Sequence, residues 1–580
     1  MARYDEFDQG VNDVIKSSRS GIVAILAAMP ALAVAQVSPR EVRDLTLTVA
    51  ADLPCVWPAG MTPFAVVPTK TIGLGPYHRD MLIIDEHTGT QWDAPAHFVP
   101  PPDSGLPGAG PNGLITGEKI PAWQFCGEAC VIDVTAHRDD APAGSSFLIG
   151  PDVVKTWERE HRPLRFGDAV LFRSDYTDQY YKPFPAGDRF VASVLAKKAP
   201  GWPAPTPETM AYLADKGVMT LGLDGASMGP VPDLAVATHQ AGGKRGLIWT
   251  ECATNLGSLP TTGAFYAQLP AKHAGGSGGE CRCLAIVEPK LAARLIESAR
   301  NKRVADLSVT LDESYPVVWP GYSAGEEGGR YLSKTLNAFG PTRGPFFAMT
   351  HLFDSYVGTH AVLPGYALPG DGFDNAKYSD NIRASLRRYE AKYGARGTSS
   401  LTTEAAGLER FMGEARIIDV RSLVESTKEG DWPASPKITV ERIRESEASA
   451  GPIHAGDVVI FESGYTDAHF KPIPSLPGLD RLFAAPLAGK AEGWPAPTPE
   501  AIAYLAEKGV RCIGTDGPTL GGVDRENALH VDWLTGSRGL FAVEMLTNLS
   551  AIRGKSAFFI FAPIKIKGTR GGYGRAIALY

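Results

Sequence analysis

The chain reads as an α/β protein made of two tandem copies of one unit. Three observations predict this. Short apolar or β-branched runs alternate with helix-patterned segments, glycine and proline are abundant, and a series of strings recurs in the same order in both halves. Gly 63 and Pro 46 amount to about 19% of the 580 residues, which favours Pro/Gly-rich structured loops between short strands over a helical bundle. Apolar residues are 44% and charged residues 21%, the proportions of a folded globular chain and not of a disordered one. With 57 Lys and Arg against 64 Asp and Glu the net charge is −7, so no basic face and no nucleic-acid partner are expected.

The repeat organises everything else. Gly201 to Glu208 (GWPAPTPE) recurs identically at Gly493 to Glu500. GDAVLFRSDYTDQYYKP (167–183) answers GDVVIFESGYTDAHFKP (456–472), and RGLIWTECATNL (245–256) answers RGLFAVEMLTNL (538–549). DLTLTV at 44–49 returns as DLSVTL at 306–311. The offset grows from 262 to 293, so the second copy carries roughly thirty extra residues, mostly around 371–412. That stretch is polar and rich in helix formers, and predicts an inserted, exposed helix. The expected units are 37–290 and 304–580, preceded by a separate segment over 1–36.

Within a unit, CVIDV, AVLFRS and MTLGLD read as buried strands. Thr206-Pro207-Glu208 opens a helix, with Thr206 as its cap and Pro207 at its first position, and Gly217 closes it. Lys290 to Arg303 predicts a helix joining the halves. The first segment contains Gly21 to Ala35, fifteen residues without a charge. That is short of the ~18 a membrane span needs, and Pro30 interrupts it, so no membrane partner is expected. Ala33-Val34-Ala35 looks like a small-residue cleavage site, but Asp5, Glu6, Asp8 and Asp13 do not suit the positive start of a signal peptide. An uncleaved N-terminal helix and a cytoplasmic location are expected ahead of export through a signal-like segment at 20–36. The seven cysteines show no zinc-type pairing and predict free buried thiols.

The chemistry concentrates in the first copy. Residues 87–98 read HTGTQWDAPAHF and hold His87, Gln91, Asp93 and His97 within eleven positions. Gly89 and Pro95 exclude a regular helix, so a looped or extended backbone is expected to turn these groups toward one point. Imidazole with carboxylate suits Zn²⁺, Mn²⁺ or Fe²⁺. Downstream, Glu251 sits in an apolar run twelve residues after His239. A carboxylate there needs a metal, a base or a proton, because burying a bare charge costs several kcal/mol. Trp92 and Phe98 flank the cluster as candidate pocket walls. The GGSGG run at 275–279 reads as a flexible loop, and no phosphate-binding glycine motif is present.

The string HTGTQWDAPAHF with the later His–x11–Glu pair resembles the metal-dependent cyclase family, that of bacterial kynurenine formamidase and isatin hydrolase, whose usual motif is HxGTHxDxPxH. A GxD element of that family appears as Gly222-Leu223-Asp224. The resemblance implies two copies of a cyclase-like domain of the swivelling β/β/α type. It places His87 and Asp93 on metal-ligand positions and His97 on that of a proton-shuttling histidine. His239 and Glu251 fall where a second ion binds in two-metal members. Gln91 stands where the pattern has a metal-binding His, and can still offer its carbonyl oxygen. One or two Mn²⁺ or Zn²⁺ ions are therefore expected.

The second copy has lost most of this set. Tyr356, Val362 and Tyr366 replace His87, Asp93 and His97, while His360 stands opposite Gln91 and Glu544 matches Glu251. Asp532 takes the slot of His239, and His530 lies two residues earlier. The copy reads as non-catalytic, and the fusion as an intramolecular pseudo-dimer that could assemble further. A rarer reading lets His360, His530 and Glu544 hold a lone metal.

The reaction expected is hydrolysis of an amide (cyclic or N-formyl) or lactone bond of a small molecule by a metal-activated water. Hydrolytic C–C cleavage of a cyclic diketone needs the same water. A cupin-type oxygenase would need an HxH pair that is absent here, and a non-catalytic ligand-binding protein is the remaining alternative.

Overall fold

The computed structural model describes residues 37–580 apart from 74, 321–328, 341–343 and 474–479. The N-terminal helix or signal expected over 1–36 lies outside the described residues.

Ten principal strands form in the first copy: β1 (Val42–Asp44), β2 (Ala65–Lys70), β3 (Arg79–Asp85), β4 (Gln91–Asp93), β5 (Cys126–Asp133), β6 (Asp168–Arg173), β7 (Thr220–Leu223), β8 (Ile248–Glu251), β9 (Phe265–Pro270) and β10 (Gly278–Ile286). The second copy repeats them as β11 (Val304–Asp306), β12 (Tyr331–Asn337), β13 (Ala348–Asp354), β14 (His360–Val362), β15 (Met412–Asp419), β16 (Val458–Glu462), β17 (Cys512–Thr515), β18 (Phe541–Glu544), β19 (Phe558–Pro563) and β20 (Gly571–Leu579). Each copy closes a seven-stranded mixed barrel. The order in the first is β10-β9-β5-β6-β7-β8-β4 and back to β10, with β1 added along β10. The second barrel has the same cyclic order, from β20 through β19, β15, β16, β17 and β18 to β14. β5 to β8 run parallel and the other pairs antiparallel.

The parallel strands are the apolar runs read from the sequence, because they are covered on both faces. Their outer face carries the helices α1 (Pro151–Glu160), α2 (Pro207–Asp215) and α3 (Ala235–Gly243), packed through Trp157, Met210, Leu213 and Trp249. The Thr206 hydroxyl accepts from the Thr209 amide and caps α2, and Gly217 closes it at φ +80°. Helix α4 (Pro289–Arg300) leads into the second copy. There the inserted helix is α5 (Asp380–Tyr393), followed by α6 (Val440–Ala450), α7 (Pro499–Glu507) and α8 (Arg525–Ser537). α5 is not wholly exposed, since Ser385, Leu386 and Tyr389 are buried.

The hairpins outside the barrels meet. β2-β3 of the first copy and β13-β12 of the second form one four-stranded sheet, with Ile83 opposite Leu352 on the central antiparallel pair. No helix of the described residues is long and apolar enough to cross a membrane. All seven cysteines are buried and free, including Cys281 and Cys283, whose sulfurs lie 3.4 Å apart.

Candidate metal centre

The short strand β4 lies between β8 and β10 and sets the site. Its register puts Gln91 opposite Glu251 and Asp93 opposite Trp249 on one side, and Asp93 opposite Gly278 on the other. Side chains alternate along a strand. Trp92 therefore points inward and packs on Phe125, while Gln91 and Asp93 face the other way, toward Glu251 and α3. So Trp92 is core and not a pocket wall. Phe98 does line the cavity, its ring centroid 4.1 Å from that of His239. His87 stands in the turn before β4, and His97 ends the Pro95–His97 turn after it.

The site residues expected in the first copy converge. His87 Nδ1 lies 3.3 Å from Asp93 Oδ1, and His97 Nε2 3.9 Å from Asp93 Oδ2. His239 Nε2 is 3.5 Å from Asp93 Oδ2 and 3.2 Å from Glu251 Oε1. Gln91 donates its amide to Glu251 Oε2 at 3.0 Å, so its carbonyl is the atom left to offer a cation. Two trios, His87–Asp93–His97 and Asp93–His239–Glu251, each have their ligand atoms within 4.8 Å of one another, and Asp93 belongs to both. All are buried.

The hydrogen bonds fix which ring nitrogen faces the centre. His239 Nδ1 lies 2.6 Å from the Ala235 carbonyl and His97 Nδ1 2.6 Å from the Phe347 carbonyl. A carbonyl only accepts, so both Nδ1 atoms carry the proton and both Nε2 atoms present a lone pair. Ser277 Oγ donates to Glu86 Oε2 at 2.8 Å and can accept from His87 Nε2 at 3.4 Å, which leaves the lone pair of His87 on Nδ1. Three imidazole lone pairs thus face carboxylate oxygens. His87 Nδ1 and Asp93 Oδ1 are both buried without a hydrogen-bond partner. Acceptors facing acceptors in a dry site call for a cation, and imidazole with carboxylate suits a divalent ion.

The electrostatics show the same demand for positive charge among the buried carboxylates. Burial raises the Asp93 carboxyl, and the charge of Glu251 adds to it. Glu251 resists the same burial because His239 holds it down. Burial works against a charged His87 or His239, yet Asp93, Asp85 and Glu86 raise His87 to about 9, and Glu251 and Asp93 raise His239. Without an ion these carboxylates draw protons onto both rings; a divalent ion would supply that positive charge instead and free the two lone pairs. His97 is driven well below its ordinary value by burial and by His87 and His239, so it stays neutral and able to accept a proton.

Beside this cluster opens a cavity of about 230 Å³, lined by Trp57, Met61, Phe98, Phe190, Trp202 and Phe346 among others. Among the described residues no Lys or Arg lines it. It is small beside typical ligand pockets of ~300–1,000 Å³.

Several contributors gave no signal in the sequence. The Trp249 indole donates to Asp93 Oδ2 at 3.0 Å and the Met228 amide to Glu251 Oε1 at 2.6 Å. The GGSGG run is not a flexible loop: Gly278 and Gly279 are buried in β10 against β4, and Ser277 touches both His87 and Glu86. Arg245 donates to the Ala241 carbonyl and does not pair with Glu251. Asp224 is not in the cluster. It accepts the Ser174 and Asp175 amides and the Ser174 hydroxyl, and Asp516 repeats this with Ser463 and Gly464.

In the second copy, His360 Nε2 lies 3.0 Å from Glu544 Oε2, but Val362 stands in place of the central carboxylate. His530 does not join them. It is two residues round the helix from Asp532, hydrogen-bonds Ser385 at 3.1 Å and stacks on Trp533, which overturns the lone-metal reading.

A double seven-stranded mixed barrel with an imidazole–carboxylate centre beside an apolar cavity defines the class. The family model for putative cyclases matches residues 43–230 and again 305–521, and the chain belongs to that family twice over. It is 26% identical to an isatin hydrolase of Roseibium aggregatum over 219 residues, 37% of this chain and 76% of that protein. It is 28% identical to a kynurenine formamidase of Paracidovorax citrulli over 211 residues, 36% of this chain and 80% of that one. The solved isatin hydrolase A from Ralstonia solanacearum aligns over 43% of this chain and 92% of its own, at 28% identity and a TM-score of 0.35.

Proposed function

We propose that the chain is a metal-dependent hydrolase that opens an amide (cyclic or N-formyl) or lactone bond of a small molecule, with its active site in the first copy. The observation that carries this is the convergence of three imidazole lone pairs on buried Asp93 and Glu251 at the wall of an apolar cavity. The activities named for the two relatives, isatin hydrolase and kynurenine formamidase, point the same way.

His87, Asp93, His239 and Glu251 would hold one or two divalent ions, Mn²⁺ or Zn²⁺, with the Gln91 carbonyl as a further donor. When bound, such an ion supplies a Lewis acid and a water whose pKa falls from 15.7 toward ~7. His97 does the proton work. Its Nε2 carries a lone pair, accepts the proton of the attacking water and returns it to the leaving nitrogen or oxygen, a contribution typically worth ~10²–10⁴ in rate. Phe98, Phe346 and Trp57 keep bulk water from the reacting carbonyl. A lining without Lys or Arg among the described residues favours an uncharged substrate.

The test combines elemental analysis with turnover. Protein purified without added metal or chelator is expected to carry one or two equivalents of Mn or Zn. His97→Ala should keep that metal and lose turnover of cyclic amides and N-formyl arylamines by at least ~10²-fold. Full turnover by His97→Ala would remove His97 from the reaction. A chain that takes up neither metal would leave a ligand-binding protein as the better reading.

A further inference from the structure

The two imidazoles that stack in the centre, His87 and His97, have ring centroids 3.9 Å apart, and both are held from behind by one stretch of the second copy. The stretch is Phe346 to Met349, at the start of β13. The Phe347 carbonyl receives the Nδ1 proton of His97, and the Phe347 amide donates to the His97 carbonyl at 2.8 Å, so the residue is clasped at two points. The Met349 amide donates to Glu86 Oε2 at 2.9 Å, and the Glu86 amide donates to the Met349 carbonyl at 3.2 Å. The same Glu86 carboxylate accepts from Ser277, whose hydroxyl faces His87 Nε2. Glu86 and Ser277 are fully buried, so bulk water does not compete for these partners. Phe346 adds its ring to the cavity wall, 5.6 Å from that of His97.

We propose that the second copy acts as a positioning half for the first: residues 346–349 fix the Nε2 lone pair of His97 directly and the Nδ1 lone pair of His87 through Glu86 and Ser277. This rests on the hydrolase reading above and adds a role for a copy that has lost its own chemistry. The reciprocal contact supports it. The first copy offers the equivalent stretch 77–80 to the second, and the His78 amide donates to the Tyr366 carbonyl at 2.8 Å, as Phe347 does to His97. There the relay is gone, because Ser355 stands at the place of Glu86, Arg570 at that of Ser277 and Tyr356 at that of His87. The backbone clasp survives in both directions, but it has imidazoles to orient in one direction only.

Glu86, Ser277 and Phe347 are positioning residues, so the test reads metal affinity without substrate as well as rate. The full chain, Glu86→Gln, Ser277→Ala and the control Ser355→Ala are titrated with Mn²⁺ and Zn²⁺ against a competing chelator. Loss of a partner behind a metal-binding histidine is expected to raise the dissociation constant ~10- to 100-fold in the first two variants and to leave the control within twofold. Phe347→Pro removes the amide that clasps His97, at a position just before a strand where proline is tolerated. It should lower kcat at least ~10-fold at unchanged metal affinity, and Phe347→Leu should restore the rate. Dissociation constants within twofold in Glu86→Gln and Ser277→Ala, or an unchanged kcat in Phe347→Pro, overturn the proposal while leaving the hydrolase reading intact. Failure of the unaltered chain to bind either ion overturns both.

Discussion

Gly278 leaves no room for a methyl group beside the candidate metal centre. A Cβ there would meet the Trp92 carbonyl oxygen at 2.3 Å and His87 Cε1 at 2.9 Å. The counterpart Gly571 is as tight, against the Ala361 carbonyl at 2.4 Å and the Tyr356 ring at 2.5 Å. Gly278→Ala should cost about 1–3 kcal/mol of stability, the usual penalty of overpacking. Gly571→Ala should cost at least as much, because Gly571 also sits at φ +149°, where a side chain is strained. Only Gly278→Ala should also weaken metal binding, because only it displaces a ligand. Denaturant unfolding and chelator competition on the two variants separate these effects, and equal metal affinities would show that His87 is not a ligand. The same residues mark how far the sequence could be read. His87, Gln91, Asp93 and His97 announce themselves through spacing within one string, and His239 with Glu251 through a carboxylate in an apolar run. Ser277 and Phe347 could not be found that way. Ser277 lies in a glycine run that looks like a linker, and Phe347 acts through its carbonyl, 250 residues from the histidine it holds.

At the scale of elements, the apolar runs that became β5, β6 and β7 were legible because parallel strands covered on both faces are continuous in hydrophobicity. β4 was not, because three residues carry no period, yet its register decides which side chains reach the centre. The inserted α5 was legible as a helix from its polar composition, but its buried face on the second copy was not. One of its tethers is electrostatic. Glu500 at the start of α7 meets Lys392 Nζ at 2.5 Å and the Tyr393 hydroxyl at 2.6 Å. Burial would raise its carboxyl, but Lys392 and Tyr393 hold it down at about 2. A depressed acid stabilises fully above its unfolded value of 4.5 and loses that contribution as the pH falls toward 2. The pair is half exposed, so Glu500→Gln should cost no more than ~0.2–1 kcal/mol. Amide exchange across 380–393 should be up to ~5-fold faster in the variant at pH 7, with the difference closing between pH 4.5 and 2. A difference that persisted at pH 2 would place the tether elsewhere.

For the whole molecule, the duplication could be read at a glance, but the closure of each copy into a barrel and the joint sheet through β3 and β13 could not. Both depend on pairings between distant strands. The joint sheet brings the copy that holds the imidazole–carboxylate cluster against one that lacks its central carboxylate, and the difference lies in a few substitutions. Val362 removes the central carboxylate, and the Tyr356 and Tyr366 rings stand 4.9 Å apart where two imidazoles stack in the first copy. Tyr77 of the first copy stacks on Tyr366 at 4.8 Å. His360 and Glu544 persist as a buried pair, and the Leu520 amide donates to Glu544 at 2.6 Å as Met228 does to Glu251. On this reading the pair holds the fold and not an ion. His360→Ala should therefore lower stability by about 1–3 kcal/mol, since it strips a buried carboxylate of its partner. It should leave both the metal content and turnover as they are. Asp93→Asn should abolish both, because that carboxylate belongs to both trios of the cluster. Elemental analysis of the two variants beside the unaltered chain decides the matter. A fall in metal per chain on His360→Ala, or three or more equivalents in the parent, would mean that the second copy binds an ion after all. The proposal of a purely positioning half would then give way to two unequal sites.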